Sequence, residues 1–192
     1  MPLLGFADPL PARPRRVVVA GTSGAGKTTL ARRLAQALDL PHVELDGLFH
    51  GPSWTARPTF VADVQRFSAQ PGWVTEWQYD TVRPLLAQRC DLVVWLDLPR
   101  RTVMRQVSTR TLSRWVRSER LWHGNREPAL WRVLGDADHV LRWAWRTHGS
   151  TRERVEQLVA TRPAVPVVRL RSHREADRWL AGPVARASAR SV

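Results

Sequence analysis

Residues Gly21-Thr22-Ser23-Gly24-Ala25-Gly26-Lys27-Thr28 fit the pattern G-x-x-x-x-G-K-[ST], and no other stretch constrains the fold as tightly. The pattern describes a turn whose backbone N–H groups close around phosphate oxygens, set between a buried strand and a helix. Both flanks are present. Arg16-Val17-Val18-Val19-Ala20 reads as a short buried strand, and Leu30, Leu34 and Leu38 recur at a helical four-residue spacing. At average residue frequencies the four constrained positions would match by chance on the order of one percent of the time. Lys27 is also the only lysine among 30 basic residues. A compact ammonium on a flexible stem follows a phosphate where a planar guanidinium fork cannot.

The loop assigns roles residue by residue. Gly21, Gly24 and Gly26 permit the backbone conformations that aim N–H groups inward, and the following helix adds its unpaired N-terminal donors. Ser23, Ala25, Lys27, Thr28 and Thr29 complete the nucleotide-binding set. Lys27 bridges the β- and γ-phosphates, and the Thr28 hydroxyl ligates Mg²⁺. Thr29 has two readings, a contact to the α-phosphate and an ordinary first-turn residue.

At 192 residues the chain predicts one domain with a real core. We expect a loose arm over residues 1–14, where four prolines and Asp8 leave no continuous apolar stretch of the kind a signal peptide carries. The domain itself is expected over 15–181 and a frayed tail over 182–192, which is small, polar and basic. No apolar run is long enough to span a bilayer. The single cysteine, Cys90, excludes an internal disulfide and fits a cytoplasmic location; its place before an apolar strand predicts a buried thiol rather than a nucleophile. The net charge of +13 fits either anionic substrates or a polyanionic partner such as nucleic acid. Composition leaves the oligomeric state open.

Beyond the loop, strands are expected at Pro41–Asp46, Trp73–Trp77, Leu92–Asp97 and Val165–Leu170. Phe60, Val61, Val64 and Phe67 mark an amphipathic helix, and Arg100 to about Arg120 a basic one. Pro128–Trp145 and Thr151–Ala160 read as helices separated by Gly149-Ser150. Ser172-His173-Arg174-Glu175 fits a capping box that opens a last helix. Strands alternating with helices predict an α/β fold with a parallel sheet and right-handed crossovers. A GTPase base-reading motif of the N-K-x-D type needs a second lysine, which this chain lacks.

With these features in place the chain resembles the adenylate-kinase-like P-loop kinases, and most closely the bacterial topology modulation (FlaR-like) group. The residues that carry the resemblance are the P-loop, Pro41-His42-Val43-Glu44-Leu45-Asp46, Trp54, Gly72-Trp73-Val74, Trp95-Leu96-Asp97-Leu98-Pro99-Arg100 and Leu121-Trp122-His123-Gly124-Asn125-Arg126-Glu127. The resemblance implies a P-loop NTPase fold of three α/β/α layers, nucleoside-monophosphate-kinase-like, around a five-stranded parallel sheet of order 2-3-1-4-5. It further implies an acceptor-binding insert at about 47–70 and an arginine-rich helical lid at about 100–127. One departure stands out. Where the group carries Asp-Gly-Asn-Tyr after its third strand, this chain has Glu76-Trp77-Gln78-Tyr79. Trp77 in place of glycine is expected to reshape or partly close the acceptor pocket.

Phosphoryl transfer needs positioning and charge neutralisation more than covalent chemistry. Asp46 reads as the contact or general base for an acceptor hydroxyl, with a loop-capping aspartate as the alternative. Glu76 reads as a metal or acceptor contact. Asp97 closes the most apolar strand as a metal-holding acid would, against a plain turn residue before Pro99. Arg110, Arg114 and Arg117 fall on one helical stripe. By the resemblance Arg110 and Arg114 are lid cations for the phosphates, although roughly one residue in seven is arginine and a solvated face has the same pattern. Arg57 and Arg83 are candidate clamps for an acceptor anion, and Trp54 and Tyr79 candidate ring contacts.

The reading that follows is a cytoplasmic kinase that uses ATP and Mg²⁺ and passes the γ-phosphate to a small acceptor, whether nucleotide, nucleoside or another hydroxyl metabolite. A nucleotide-gated nucleic-acid-binding protein is the alternative from a different class. It suits the charge, but no helix-turn-helix, zinc-finger or RNA-binding signature accompanies it.

Overall fold

The computed structural model of the chain describes residues 3–52, 55–117 and 140–189, with backbone alone for 110–117 and 140–148. Its strands are β1 (Leu3–Leu4), β2 (Arg16–Gly21), β3 (His42–Val43), β4 (Trp73–Glu76), β5 (Leu92–Leu96) and β6 (Val167–Leu170). Its helices are α1 (Lys27–Leu38), α2 (Leu45–Phe49), α3 (Phe60–Ser68), α4 (Arg83–Arg89), α5 (Arg100–Arg117), α6 (Val140–Thr161), α7 (His173–Trp179) and α8 (Ala185–Ala189).

The strands form one parallel sheet of order β1-β6-β5-β2-β4-β3. β2 lies at its centre because Val17, Val18, Val19 and Ala20 are apolar on both faces, and all four are fully buried. Alternation splits them between two layers. Val17 and Val19 pack with Leu30, Leu34 and Leu38 of α1, and with Trp179 and Val184 further along the same face. Val18 and Ala20 face Val64 of α3, Leu86 of α4, and Val155 and Leu158 of α6. The result is a three-layer α/β/α sandwich. Leu34 has no exposure, so its truncation to alanine is expected to cost about 2–5 kcal/mol.

Registry then gathers strand ends. Val19 stands beside Glu76, and Gly21 beside Leu96, so β2, β4 and β5 finish together at one edge. Brought to that edge are the glycine loop from β2 and the polar run that follows β4. Open parallel sheets bind ligands at this edge.

Without β1, the order is the expected 2-3-1-4-5. The sixth strand corrects the loose-arm expectation: Leu3 and Leu4 register with Val167 and Val168, and Leu10 is buried. Arg13 also reaches the Leu38 carbonyl at 2.5 Å. The expected frayed tail is corrected as well over residues 182–189. A π-helical turn at Leu180–Val184 leads into α8, burying Val184 and Ala187 against the α1 layer. Small side chains there allow a close helix approach that composition alone reads as disorder.

Two further boundaries differ from expectation. The strand expected over Pro41–Asp46 ends at Val43, and Asp46 lies in the first turn of α2. Gly149-Ser150 does not separate a pair of helices but sits within α6. An interior glycine costs about 1 kcal/mol, too little to stop a helix held elsewhere by packing. Residues 118–127 of the expected lid lie outside the described residues.

Candidate active site

The loop between β2 and α1 has the required backbone. Gly24 and Gly26 hold φ of +83° and +91°, a region that favours glycine. At Gly24 space is also decisive, since a Cβ there would stand 2.0 Å from Val107 Cγ2 on α5. Gly26 is the N-cap of α1 and supplies no side chain to bond the first-turn amides. The turn is closed by Ala25 N–H to the Thr22 carbonyl at 3.0 Å, and Lys27 Nζ donates to the same carbonyl at 3.3 Å. Ser23, Lys27 and Thr28 are half-buried, Ala25 is buried and Thr29 is exposed.

Next to the loop lies Glu76, the last residue of β4 and only 1% exposed. Its Oε1 lies 3.2 Å from Nε2 of His42, and its Oε2 is 3.5 Å from the Leu45 N–H. Burial pushes this carboxyl up. The His42 hydrogen bond and charge, with a hydrogen bond from Thr28, outweigh that and hold it below the ordinary carboxylate range. Thr28 and Glu76, forecast separately, therefore meet as a hydroxyl and an ionised carboxylate.

Asp97 does not join them. Its Oδ2 accepts from Arg169 Nε at 2.7 Å and from a second Arg169 nitrogen, and Arg152 lies 3.3 Å away. Both guanidinium groups also stand over the Trp95 ring, at 4.8 Å for Arg169 and 5.8 Å for Arg152. Alternation from Val93 and Trp95 places Asp97 on the α6 face, whereas Thr28 belongs to the α1 side. Two cations thus pair with Asp97, and we propose that it serves as their counter-ion rather than in the metal role expected of it.

On the other flank, Asp46 accepts from Gln78 Nε2 at 2.6 Å and from the Tyr79 hydroxyl at 2.7 Å, both on Oδ1. Tyr79 reaches it through a left-handed backbone, φ +62°, and lies stacked on Phe49 at 4.3 Å. Phe60 meets its ring edge-on, and His50 Nε2 lies 3.4 Å from its hydroxyl. Burial, then the Asp46 carboxylate, drives the Tyr79 phenol well above its ordinary pKa. Gln78, His42 and His50 carried no role in the sequence reading. A positive-φ residue that turns its side chain back across the strand ends leaves no periodic signal.

The remaining forecasts disperse. Arg57 pairs with Asp63 of α3 at 3.6 Å. Arg83 pairs with Asp80 and stands 5.6 Å over Trp77, in a groove with α6 whose lining includes neither Asp46 nor Tyr79. Trp77 does not close the crevice: it is 8% exposed, packs with Val82 and Leu86, and donates to the Arg83 carbonyl at 3.1 Å. Trp54 lies outside the described residues. Arg110 and Arg114 fall on α5, their side chains likewise outside. At the loop's mouth α5 instead presents Gln106, which contacts His173 Nε2, and a Cβ at Gly26 would lie 3.4 Å from His173 Cε1. The expected capping box is only half formed, Ser172 Oγ accepting from Glu175 N–H at 3.1 Å.

No family model matches the chain. A stretch of 48 residues is 42% identical to a cytidylate kinase of Nitratidesulfovibrio vulgaris (strain DP4), covering 25% of this chain and 21% of that protein, so the match spans about a fifth of the relative. Among solved structures, a gluconokinase from Sinorhizobium meliloti 1021 superposes with a TM-score of 0.52 at 18% identity, over 93% of this chain and 96% of that one. A shikimate kinase from Acinetobacter baumannii gives 0.49 at 12% identity, over 92% and 89%. The gluconokinase likeness extends over nearly the whole of both chains and shows a shared fold, a parallel sheet between two helical layers with a glycine loop at one edge. Among the described residues no helix is long and apolar enough to cross a membrane.

Proposed function

We propose that this chain is a phosphotransferase that moves the γ-phosphate of ATP onto a hydroxyl of a small acceptor. The observation that carries the reading is the meeting of three units at one sheet edge. These are the glycine loop with Lys27, the Thr28–Glu76 pair, and Asp46 oriented by Gln78 and Tyr79. In this reading the loop amides and Lys27 hold the phosphate chain and neutralise charge as it shifts to the β–γ bridge. Asp46 receives the acceptor hydroxyl on Oδ2, while Gln78 and Tyr79 fix the carboxylate through Oδ1 and keep its orientation toward the incoming group.

Magnesium fits this donor set. A hydroxyl and a buried, ionised carboxylate are the hard oxygens that such a cation takes, usually with several waters retained. Thr28 and Glu76 are the residues that would hold it, and when bound it supplies charge neutralisation across the β- and γ-phosphates. Arg110 and Arg114 are the proposed lid cations. The acceptor is a nucleotide, a nucleoside or another hydroxyl metabolite. The cytidylate kinase match and the gluconokinase-like fold support that range without choosing within it.

The test is ADP release from Mg-ATP across nucleotides, nucleosides and sugar or hydroxy-acid acceptors, wild type beside Lys27→Ala and Asp46→Asn. An acceptor-dependent rate that falls at least about a hundredfold in Lys27→Ala, about 2.7 kcal/mol, is the expected result. Nucleotide binding with no responding acceptor, together with steeply salt-dependent DNA binding, would replace it with the nucleic-acid reading.

A further inference from the structure

Behind the sheet from α1, helices α4 and α6 enclose a groove of about 470 Å³, within the range of about 300–1,000 Å³ typical of small-molecule sites. Its lining includes Trp77, Asp80, Arg83, Leu158, Arg154 and Arg162. No loop residue lines it, nor do Asp46, Glu76 or Tyr79, so it is separate from the site described above.

Charge in the groove is unbalanced. Three guanidinium groups face one carboxylate, that of Asp80, whose side chain is 79% exposed. Arg83 pairs with Asp80, and Arg154 stands 4.0 Å from the same oxygen. Arg162 Nη1 donates to the Ala87 and Gln88 carbonyls. Among the described residues, Arg83 Nε is buried with no hydrogen-bond partner. A buried cation donor left unpaired beside a second cation is costly unless an anion comes to it. Burial, then the neighbouring Arg154, brings the Arg83 guanidinium down to about 10. Beside these cations the wall is largely apolar. Pro84 and Ala87 stand on the α4 side and Leu158 on the α6 side, with the mostly buried Trp77 beside them.

We propose that this groove is a second binding site, for a small organic anion that carries its phosphate or carboxylate on a flat apolar ring. The anionic group sits between the Arg83 and Arg154 guanidinium groups. The ring lies along the apolar wall of Pro84, Ala87 and Leu158. The site does not depend on phosphotransfer, because it uses no residue of the loop.

Calorimetry on the full chain, saturated with Mg-ADP, tests it with phenyl phosphate and benzoate as probes and inorganic phosphate and phenol as comparisons. We expect one phenyl phosphate or benzoate per chain, at least tenfold tighter than either comparison. The tighter of the two probes tells whether phosphate or carboxylate is the natural head group. Arg154→Gln should weaken binding about tenfold, and Arg154→Lys should recover some of it, with thermal unfolding unchanged in both. Lys27→Ala, titrated without nucleotide, should bind the probe as wild type does. Inorganic phosphate binding as tightly as phenyl phosphate, no loss in Arg154→Gln, or loss in Lys27→Ala would each overturn the proposal.

Discussion

His42 Nε2 lies 3.2 Å from Glu76 Oε1, and the two side chains are only 14% and 1% exposed. The ring N–H donates to the carboxylate whether the imidazole is neutral or charged. Glu76 is held below its ordinary pKa, burial being outweighed by His42 and Thr28, so the unfolded chain binds its proton more readily than the folded one. The stability this provides is present above the ordinary carboxylate value of about 4.3 and is lost as pH falls through the lower folded value. Urea midpoints measured from pH 3 to 7 should fall on the acid side in wild type and fall less steeply in Glu76→Gln. Equal acid limbs would show that Glu76 is not a coupled group. His42→Ala should cost about 1–3 kcal/mol at neutral pH by stripping a partner from a buried carboxylate.

Gly24→Ala tests the contact between the loop and α5. The new methyl meets Val107 Cγ2 at 2.0 Å, and the residue must hold φ +83°. The backbone contributes about 1–2 kcal/mol of destabilisation and the clash about 1–3 kcal/mol more. Val107→Ala removes the clash at the cost of two buried methyls, so the double mutant should be less destabilised than the sum of the two single changes. A double-mutant cycle on urea unfolding measures that coupling. Strict additivity would mean that Val107 does not touch the loop.

Much of this was legible in sequence because it repeats or is punctuated. The glycine pattern of the loop, the leucine spacing of α1 and the apolar runs of β2 and β5 each follow a local rule, whereas the central strand order comes only from the family resemblance. What escaped depends on contacts distant in sequence. Leu3-Leu4 is too short to read as a strand until Val167 and Val168 are beside it. Asp97 reads as a metal acid because its strand position suits one, and its pairing with Arg169, some seventy residues on, has no local signature. Glu76 was picked for its place at the strand end, yet the His42 contact that keeps it ionised has no local signature. Trp77 was expected in the crevice, but a large ring gains more from the apolar layer under α4 than from a polar edge.

Asp97→Asn should separate structure from binding. Removing the carboxylate leaves Arg169, only 20% exposed, facing a neutral amide, with the exposed Arg152 beside it. A loss of about 1–3 kcal/mol in unfolding free energy is expected, with Mg-ATP affinity within about twofold of wild type. Thr28→Ala should do the reverse, weakening Mg-ATP at least about tenfold with a small effect on folding. A large affinity loss in Asp97→Asn would return Asp97 to the metal set.

Tyr79 offers a direct spectroscopic reading because it is the only tyrosine in the chain. Burial and the Asp46 carboxylate raise its pKa in the folded state, so its neutral form is favoured there and the unfolded chain loses the proton first, near pH 10. The resulting stability is complete below that value and is lost progressively as pH rises above it. Tyrosinate absorbance near 295 nm should therefore stay absent past pH 10 and appear only with the loss of circular dichroism. Reversible ionisation near pH 10 in a folded chain would show that the hydroxyl is not bonded to Asp46. Tyr79→Phe keeps the ring against Phe49 and Phe60 but frees Asp46 Oδ1 from one of its two donors. If Asp46 orients the acceptor, that variant should lower kcat about tenfold with little change in stability, whereas a purely packing role would leave kcat where it was.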